Sequence, residues 1–101
     1  MANGDDFQSA NAVVNWFDSG GGLHIRVYGS DGDTITERCS DVGTSGWTTG
    51  QFSQPGSHVS ATVWTVNGQP SIRVYCINGG TTTEWCIDPG KSWYQGTYTP
   101  S

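Results

Sequence analysis

Positive charge is scarce in this chain. Only Arg26, Arg38, Arg73 and Lys91 are basic among 101 residues, and the formal net charge is −5. Phosphate binding needs a basic stripe, so the composition excludes nucleic acid as a partner. The same deficit argues against anionic membrane surfaces. No stretch is apolar over the length that spans a bilayer, so no membrane insertion is expected. Helical periodicity is missing as well. Cysteine is limited to Cys39, Cys76 and Cys86. An odd count gives no complete disulfide framework, and there is no Cys-x-x-Cys or histidine cluster to suggest zinc. No metal or cofactor is expected. Cys39 and Cys86 read instead as small buried apolar residues. Met1 to Ala10 is polar and acidic and lacks the basic and apolar regions of a secretory signal. The expectation is a cytoplasmic protein or one exported by a non-classical route, with this segment a tail or an edge-covering arm.

What is present points to strands. Fifteen glycines, five tryptophans, four tyrosines and three phenylalanines suggest tight turns joining aromatic-rich strands. The length allows one domain. The clearest object is Ile72-Arg73-Val74-Tyr75-Cys76-Ile77-Asn78-Gly79-Gly80-Thr81-Thr82-Thr83-Glu84-Trp85-Cys86, a β-hairpin by pattern. Asn78-Gly79 suits the two positive-φ residues of a type I′ turn. With that turn, Arg73 lies directly across from Glu84 on one face. Ile25-Arg26-Val27-Tyr28 repeats the object, turning at Asp31-Gly32 and returning through Thr36-Glu37-Arg38-Cys39, with Arg26 across from Glu37.

Arg26 and Arg73 are 47 residues apart, as are Glu37 and Glu84. The chain is a tandem duplication. In the first repeat, strands are expected over Ala12 to Phe17, Leu23 to Tyr28, Thr34 to Cys39 and Trp47 to Phe52. The second runs through Val59 to Val66, Ser71 to Cys76, Thr81 to Cys86 and Trp93 to Tyr98. Gly20-Gly21-Gly22, Gln54-Pro55-Gly56, Asn67-Gly68 and Asp88-Pro89-Gly90 are the breaks. Four short strands over about 45 residues match one β-propeller blade. The expected division is 1–12 as tail, 13–57 as the first blade and 58–101 as the second. Propellers typically use about 4–8 blades, so two should close into a ring only by head-to-tail association of copies.

The duplicated Arg–Glu couple is the first candidate site. A guanidinium only donates hydrogen bonds and a carboxylate only accepts them, which together match vicinal sugar hydroxyls. The plainer reading is a cross-strand surface ion pair. Trp47 and Trp93 form the second candidate. Each follows a polar loop, where an indole can meet the apolar face of a sugar and donate its N–H to a hydroxyl. The plainer reading there is packing between blades. Trp16 and Trp64, inside longer strands, read as core. Glu37 with Asp41, or Glu84 with Asp88, could be nominated as glycosidase carboxylates. Facing arginines would keep both glutamates ionised and poor proton donors, so no enzyme is expected. His24 and His58 are unrelated by the repeat and read as ordinary strand or loop residues.

Ile-Arg-Val-Tyr, then Thr-Glu-x-Cys, then a loop and Trp-x-x-Gly-x-aromatic, in order and twice, resemble the fucose-binding β-propeller lectins of the Aleuria aurantia type. The two-repeat length is similar to the short bacterial members. The resemblance covers Val13 to Tyr98. It implies an all-β, six-bladed ring built by trimerisation and a non-catalytic lectin for L-fucose and fucosylated glycans, bound without metal between adjacent blades. By matching positions, one pocket would use Arg26, Glu37 and the backbone of Gln51, with Trp93 and Ile87 from the next blade. The other would use Arg73, Glu84 and the backbone of Thr97, with Trp47 and Ser40 from a neighbouring chain. The family places a packing aromatic where Ile87 and Ser40 stand. Ile87 keeps an apolar wall and Ser40 does not, so the pocket within the chain is expected to be the better one. The alternative is a structural or protein-binding propeller with degenerate sugar pockets.

Overall fold

The computed structural model describes residues 8–100. Eight strands follow in order: β1 (Ala10–Phe17), β2 (Leu23–Ser30), β3 (Thr34–Asp41), β4 (Thr48–Pro55), β5 (His58–Val66), β6 (Gln69–Asn78), β7 (Thr81–Ile87) and β8 (Tyr94–Gln95). They form two four-stranded antiparallel sheets, β1 to β4 and β5 to β8, each with its strands in sequence order. This is a unit of two propeller blades. Most of the expected N-terminal tail lies outside the described residues, but β1 already starts at Ala10, and Ser9 donates its N–H to Ser30 at 2.7 Å. The last strand is shorter than expected, only Tyr94–Gln95.

Both hairpins differ from the expected register by two residues. In the second, Asn78 pairs with Thr81, so the turn is Gly79-Gly80 and not Asn78-Gly79. Their φ angles are 59° and 87°, the doubly positive pair that a type I′ turn demands. In the first, Ser30 pairs with Ile35. The Asp31 carboxylate accepts the N–H groups of Asp33 and Thr34 at 3.0 and 2.9 Å, which makes a longer, side-chain-braced loop. Arg26 therefore lies across from Cys39 and Arg73 across from Cys86. Tyr28 and Tyr75, not the arginines, face Glu37 and Glu84. A slip of two residues keeps every side chain on its expected face, because strands alternate with period 2. The expected turn at Asn67-Gly68 forms, with φ of 54° and 75°.

That alternation assigns the two faces of each sheet. His24, Arg26, Tyr28 and Ser30 of β2 share one face with Asp41, Cys39, Glu37 and Ile35 of β3, their cross-strand partners. This front face of the first sheet packs on the back face of the second. Tyr28, Ile35 and Phe52 join Ile72, Val74 and Cys76 in one core, with Ile87 and Trp93 against it. The corresponding front face of the second sheet, with Ser71, Arg73, Tyr75, Glu84 and Cys86, has no third sheet to cover it among the described residues. Cys39, Cys76 and Cys86 are free and buried, and burial pushes the Cys76 thiol up to about 11.

Candidate binding site

The front face of the first sheet carries a bonded polar cluster. Arg26 Nη1 donates to Asp41 Oδ1 at 2.8 Å and to the carbonyl of Ile25 at 2.9 Å. Its guanidinium lies 4.9 Å from the Trp16 ring centroid, within cation–π range. Glu37 is held by other donors. Tyr28 donates its hydroxyl to Oε2 at 2.8 Å, and the Phe52 N–H approaches Oε1 at 3.4 Å. Glu37 is only 5% exposed, so these partners replace water that the buried carboxylate has lost.

A glycine makes this arrangement possible. A Cβ on Gly50 would stand 2.0 Å from Glu37 Oε1, and on Gly96 2.1 Å from Glu84 Oε1. The Gly of the Trp-x-x-Gly pattern is thus the place where the carboxylate lies against the neighbouring backbone.

The second sheet repeats the cluster. Arg73 Nη1 donates to Asp88 Oδ1 at 3.0 Å and stands 4.8 Å from the Trp64 ring centroid. Tyr75 donates to Glu84 Oε2 at 2.8 Å, and the Tyr98 N–H to Oε1 at 3.0 Å. The Tyr75 hydroxyl first, and then the Tyr98 N–H, hold Glu84 below the usual carboxylate range. Asp88 is held down to about 2 by hydrogen bonds from Tyr94 and Arg73.

The expected direct Arg–Glu couple is therefore replaced by two couples, Arg with Asp and Tyr with Glu. The sequence offers Asp41 and Asp88 only as candidate acids, and it shows Tyr28, Tyr75, Gly50 and Gly96 in the repeated motifs without a role for them. The repeat contains the signal: Tyr28 and Tyr75 are 47 residues apart, as are Asp41 and Asp88. Burial works against the Asp41 carboxylate, but hydrogen bonds from Arg26 and His24 outweigh it and lower its pKa. The shifts resolved at Asp41, Glu84 and Asp88 all run away from proton donation.

A cleft of about 370 Å³ opens where the two sheets meet. Small-molecule sites commonly occupy about 300–1,000 Å³. From the first repeat Arg26, Glu37 and Gln51 line it, and from the second Ile87, Lys91 and Trp93. All five residues expected for the pocket within the chain thus share one cavity. Trp93 also packs edge-on against Phe52 at 4.7 Å between centroids, so it is both wall and packing residue. Lys91 was not foreseen. The other expected set is divided within one chain. Arg73, Glu84 and Thr97 belong to the second repeat, whereas Trp47, 47% exposed, and Ser40 belong to the first.

Two expectations need correction. Trp64 is 46% exposed and is not a core residue of the chain. Trp16, its equivalent, joins the core between the sheets and stacks on the ring of His24 at 5.1 Å, whereas Trp64 lies on the uncovered face across from Ser71. Nor is His24 an ordinary strand residue. Its Nδ1 lies 2.6 Å from Asp41 Oδ1 and its Nε2 2.8 Å from Asp18 Oδ2.

The fold and the clusters define a two-blade propeller unit with a duplicated set of paired arginines and carboxylates. A family model described as the fungal fucose-specific lectin family matches residues 5–99. The chain belongs to that family. No individual curated protein matches it.

Proposed function

We propose that this protein is a non-catalytic lectin that binds fucose and fucosylated glycans in clefts between adjacent blades. The observation that carries this reading is the single cavity that gathers Arg26, Glu37 and Gln51 with Trp93 and Ile87. Arg26 offers donors to hydroxyls and the ring oxygen. Glu37, locked by Tyr28, accepts from vicinal hydroxyls. Hydrogen bonds to charged groups contribute roughly 1.5–3 kcal/mol each. Trp93 adds an indole donor, and Ile87 meets the apolar side of the sugar. No metal takes part.

The second cleft is completed by another copy of the chain. The front face of the second sheet then receives the back face of a neighbour's first sheet, as happens once inside the chain. Such a contact is heterologous and closes only as a ring. Three chains make six blades, within the range of about 4–8 that propellers use. Arg73, Glu84 and the Thr97 backbone then meet a neighbour's Trp47 and Ser40. Lacking an apolar wall, that cleft binds more weakly than the first. Clefts on one rim engage a glycan-bearing surface together, and such linkage raises avidity by roughly 10²–10⁴-fold.

The test is the double variant Arg26→Ala with Arg73→Ala, assayed on a glycan array and by mass in solution. Loss of fucosylated targets with assembly intact supports the lectin. Unchanged binding, or a wild-type chain that ignores every fucosylated glycan, turns the reading over to a propeller used as a structural or protein-binding platform.

A further inference from the structure

One element of the first cluster has no counterpart in the second. Ser71 stands across from Trp64 where His24 stands across from Trp16, and Val66 holds the place after Trp64 that Asp18 holds after Trp16. The imidazole is stacked on Trp16 at an interplanar angle of 9°. Its two nitrogens meet carboxylates from two separate elements, Asp18 in the turn after β1 and Asp41 on β3. These lie on opposite sides of the ring, so they do not converge on a shared ion, and no metal-holding group of His, Cys, Asp and Glu is found among the described residues. A neutral imidazole has one N–H and can satisfy only one of these acceptors; the imidazolium satisfies both. Asp41 Oδ1 is the same atom that receives Arg26 Nη1 at 2.8 Å. The result is a continuous chain of charges, Asp18, His24, Asp41 and Arg26.

We infer that protonated His24 is a positioning residue for sugar binding in the first cleft, orienting Arg26 through their shared carboxylate, and that this makes the first cleft pH-sensitive and the second not. The inference builds on the proposed lectin function. The charged groups that face His24 are Asp18 from the turn, Asp41 from β3 and, through Asp41, Arg26 on its own strand; β1 offers only the uncharged Trp16 ring. Hydrogen bonds donated first to Asp18 and then to Asp41 raise the His24 pKa above its ordinary 6.5. The sign follows: a raised pKa means the bracket is complete below the ordinary value and is lost as pH rises through the folded value. Losing it frees Asp41 to follow Arg26 alone, and the guanidinium loses its fixed aim. In the second cluster Tyr94 and Ser71 take the place of histidine on Asp88, and neither changes charge in this range.

The test uses the assembled protein and methyl α-L-fucoside. Arg73→Ala reports the first cleft alone and Arg26→Ala the second. Affinity in Arg73→Ala is expected to fall roughly three- to tenfold from pH 6 to pH 9 as the imidazolium loses its proton. Arg26→Ala should stay flat. His24→Ser in the Arg73→Ala background should be weak and flat throughout. NMR on the wild-type protein without sugar supplies an independent reading. Both His24 ring nitrogens should carry protons at pH 6, and the Arg26 guanidinium signals should move at the same midpoint as His24. Arg26 signals that ignore the His24 titration, or a flat profile in Arg73→Ala, overturn the inference. If the fucoside fails to bind at any pH, the lectin reading falls, while the Arg26 response still decides the coupling.

Discussion

Phe52 and Trp93 meet with ring centroids 4.7 Å apart, one from each repeat. Their repeat equivalents, Tyr98 and Trp47, each keep 47% exposure. One chain thus makes this contact once and carries the two unmatched halves of a second at opposite ends. Both halves are large aromatics whose burial is favourable, which would drive the proposed head-to-tail association. The expected outcome in sedimentation or light scattering is a wild-type trimer, shifted toward smaller species by Trp47→Ala. A stable, folded wild-type monomer would contradict the proposed ring.

Tyr28→Phe removes the hydroxyl that bonds Glu37 and leaves the carboxylate buried. An unsatisfied buried acceptor costs about 1–3 kcal/mol, more if charged. Thermal or denaturant unfolding should show that loss, with weaker fucoside binding in the first cleft. The equivalent Tyr75→Phe should cost less in an isolated chain, because Glu84 is less buried.

Gly50→Ala places a methyl 2.0 Å from Glu37 Oε1. The carboxylate or the β4 backbone must move, at a cost typical of overpacking, about 1–3 kcal/mol. Calorimetry should show at least about tenfold weaker binding in the first cleft, a change worth about 1.4 kcal/mol. Gly32→Ala, where added Cβ meets nothing within 4 Å, is the control for the sugar site; with φ at 106° it tests backbone strain alone.

Acid should act on the second cluster through Asp88. Its pKa is depressed from 3.8 to about 2, so its contribution is complete above the ordinary value and is lost as pH falls toward the folded one. An acid titration followed by Tyr or Trp fluorescence should show Arg73 and Tyr94 released between about pH 4 and pH 2. Asp88→Asn should remove that step. A step of unchanged size in the variant would show that another carboxylate governs it.

Much of this was legible in the chain itself. Period-2 patterning and the 47-residue repeat of Arg26 with Glu37 gave eight strands and two blades, because alternation and duplication survive any small error in register. The pairing partners were not legible to the same degree. Asn78-Gly79 and Gly79-Gly80 are both competent type I′ turns, and only the register that lets Tyr75 reach Glu84 separates them. In the first hairpin the Asp31 carboxylate braces a longer loop, which a two-residue turn signal does not encode. The Arg–Asp and Tyr–Glu couples follow from that register. Trp16 and Trp64 look alike along their strands and differ in what surrounds them: Trp16 stacks on His24 on the face that joins the core, and Trp64 stands across from Ser71 on the face left uncovered.

The most direct measurement is an NMR titration of the five indole N–H signals of the wild-type protein with methyl α-L-fucoside. The Trp93 signal should shift and saturate first, with Trp16, beneath Arg26, moving alongside it. Trp47 should follow at higher sugar concentration, and Trp85 should stay in place. Indole signals that remain fixed at saturating sugar, or that move at Trp85 and not at Trp93, would contradict a sugar site in the cleft between the sheets.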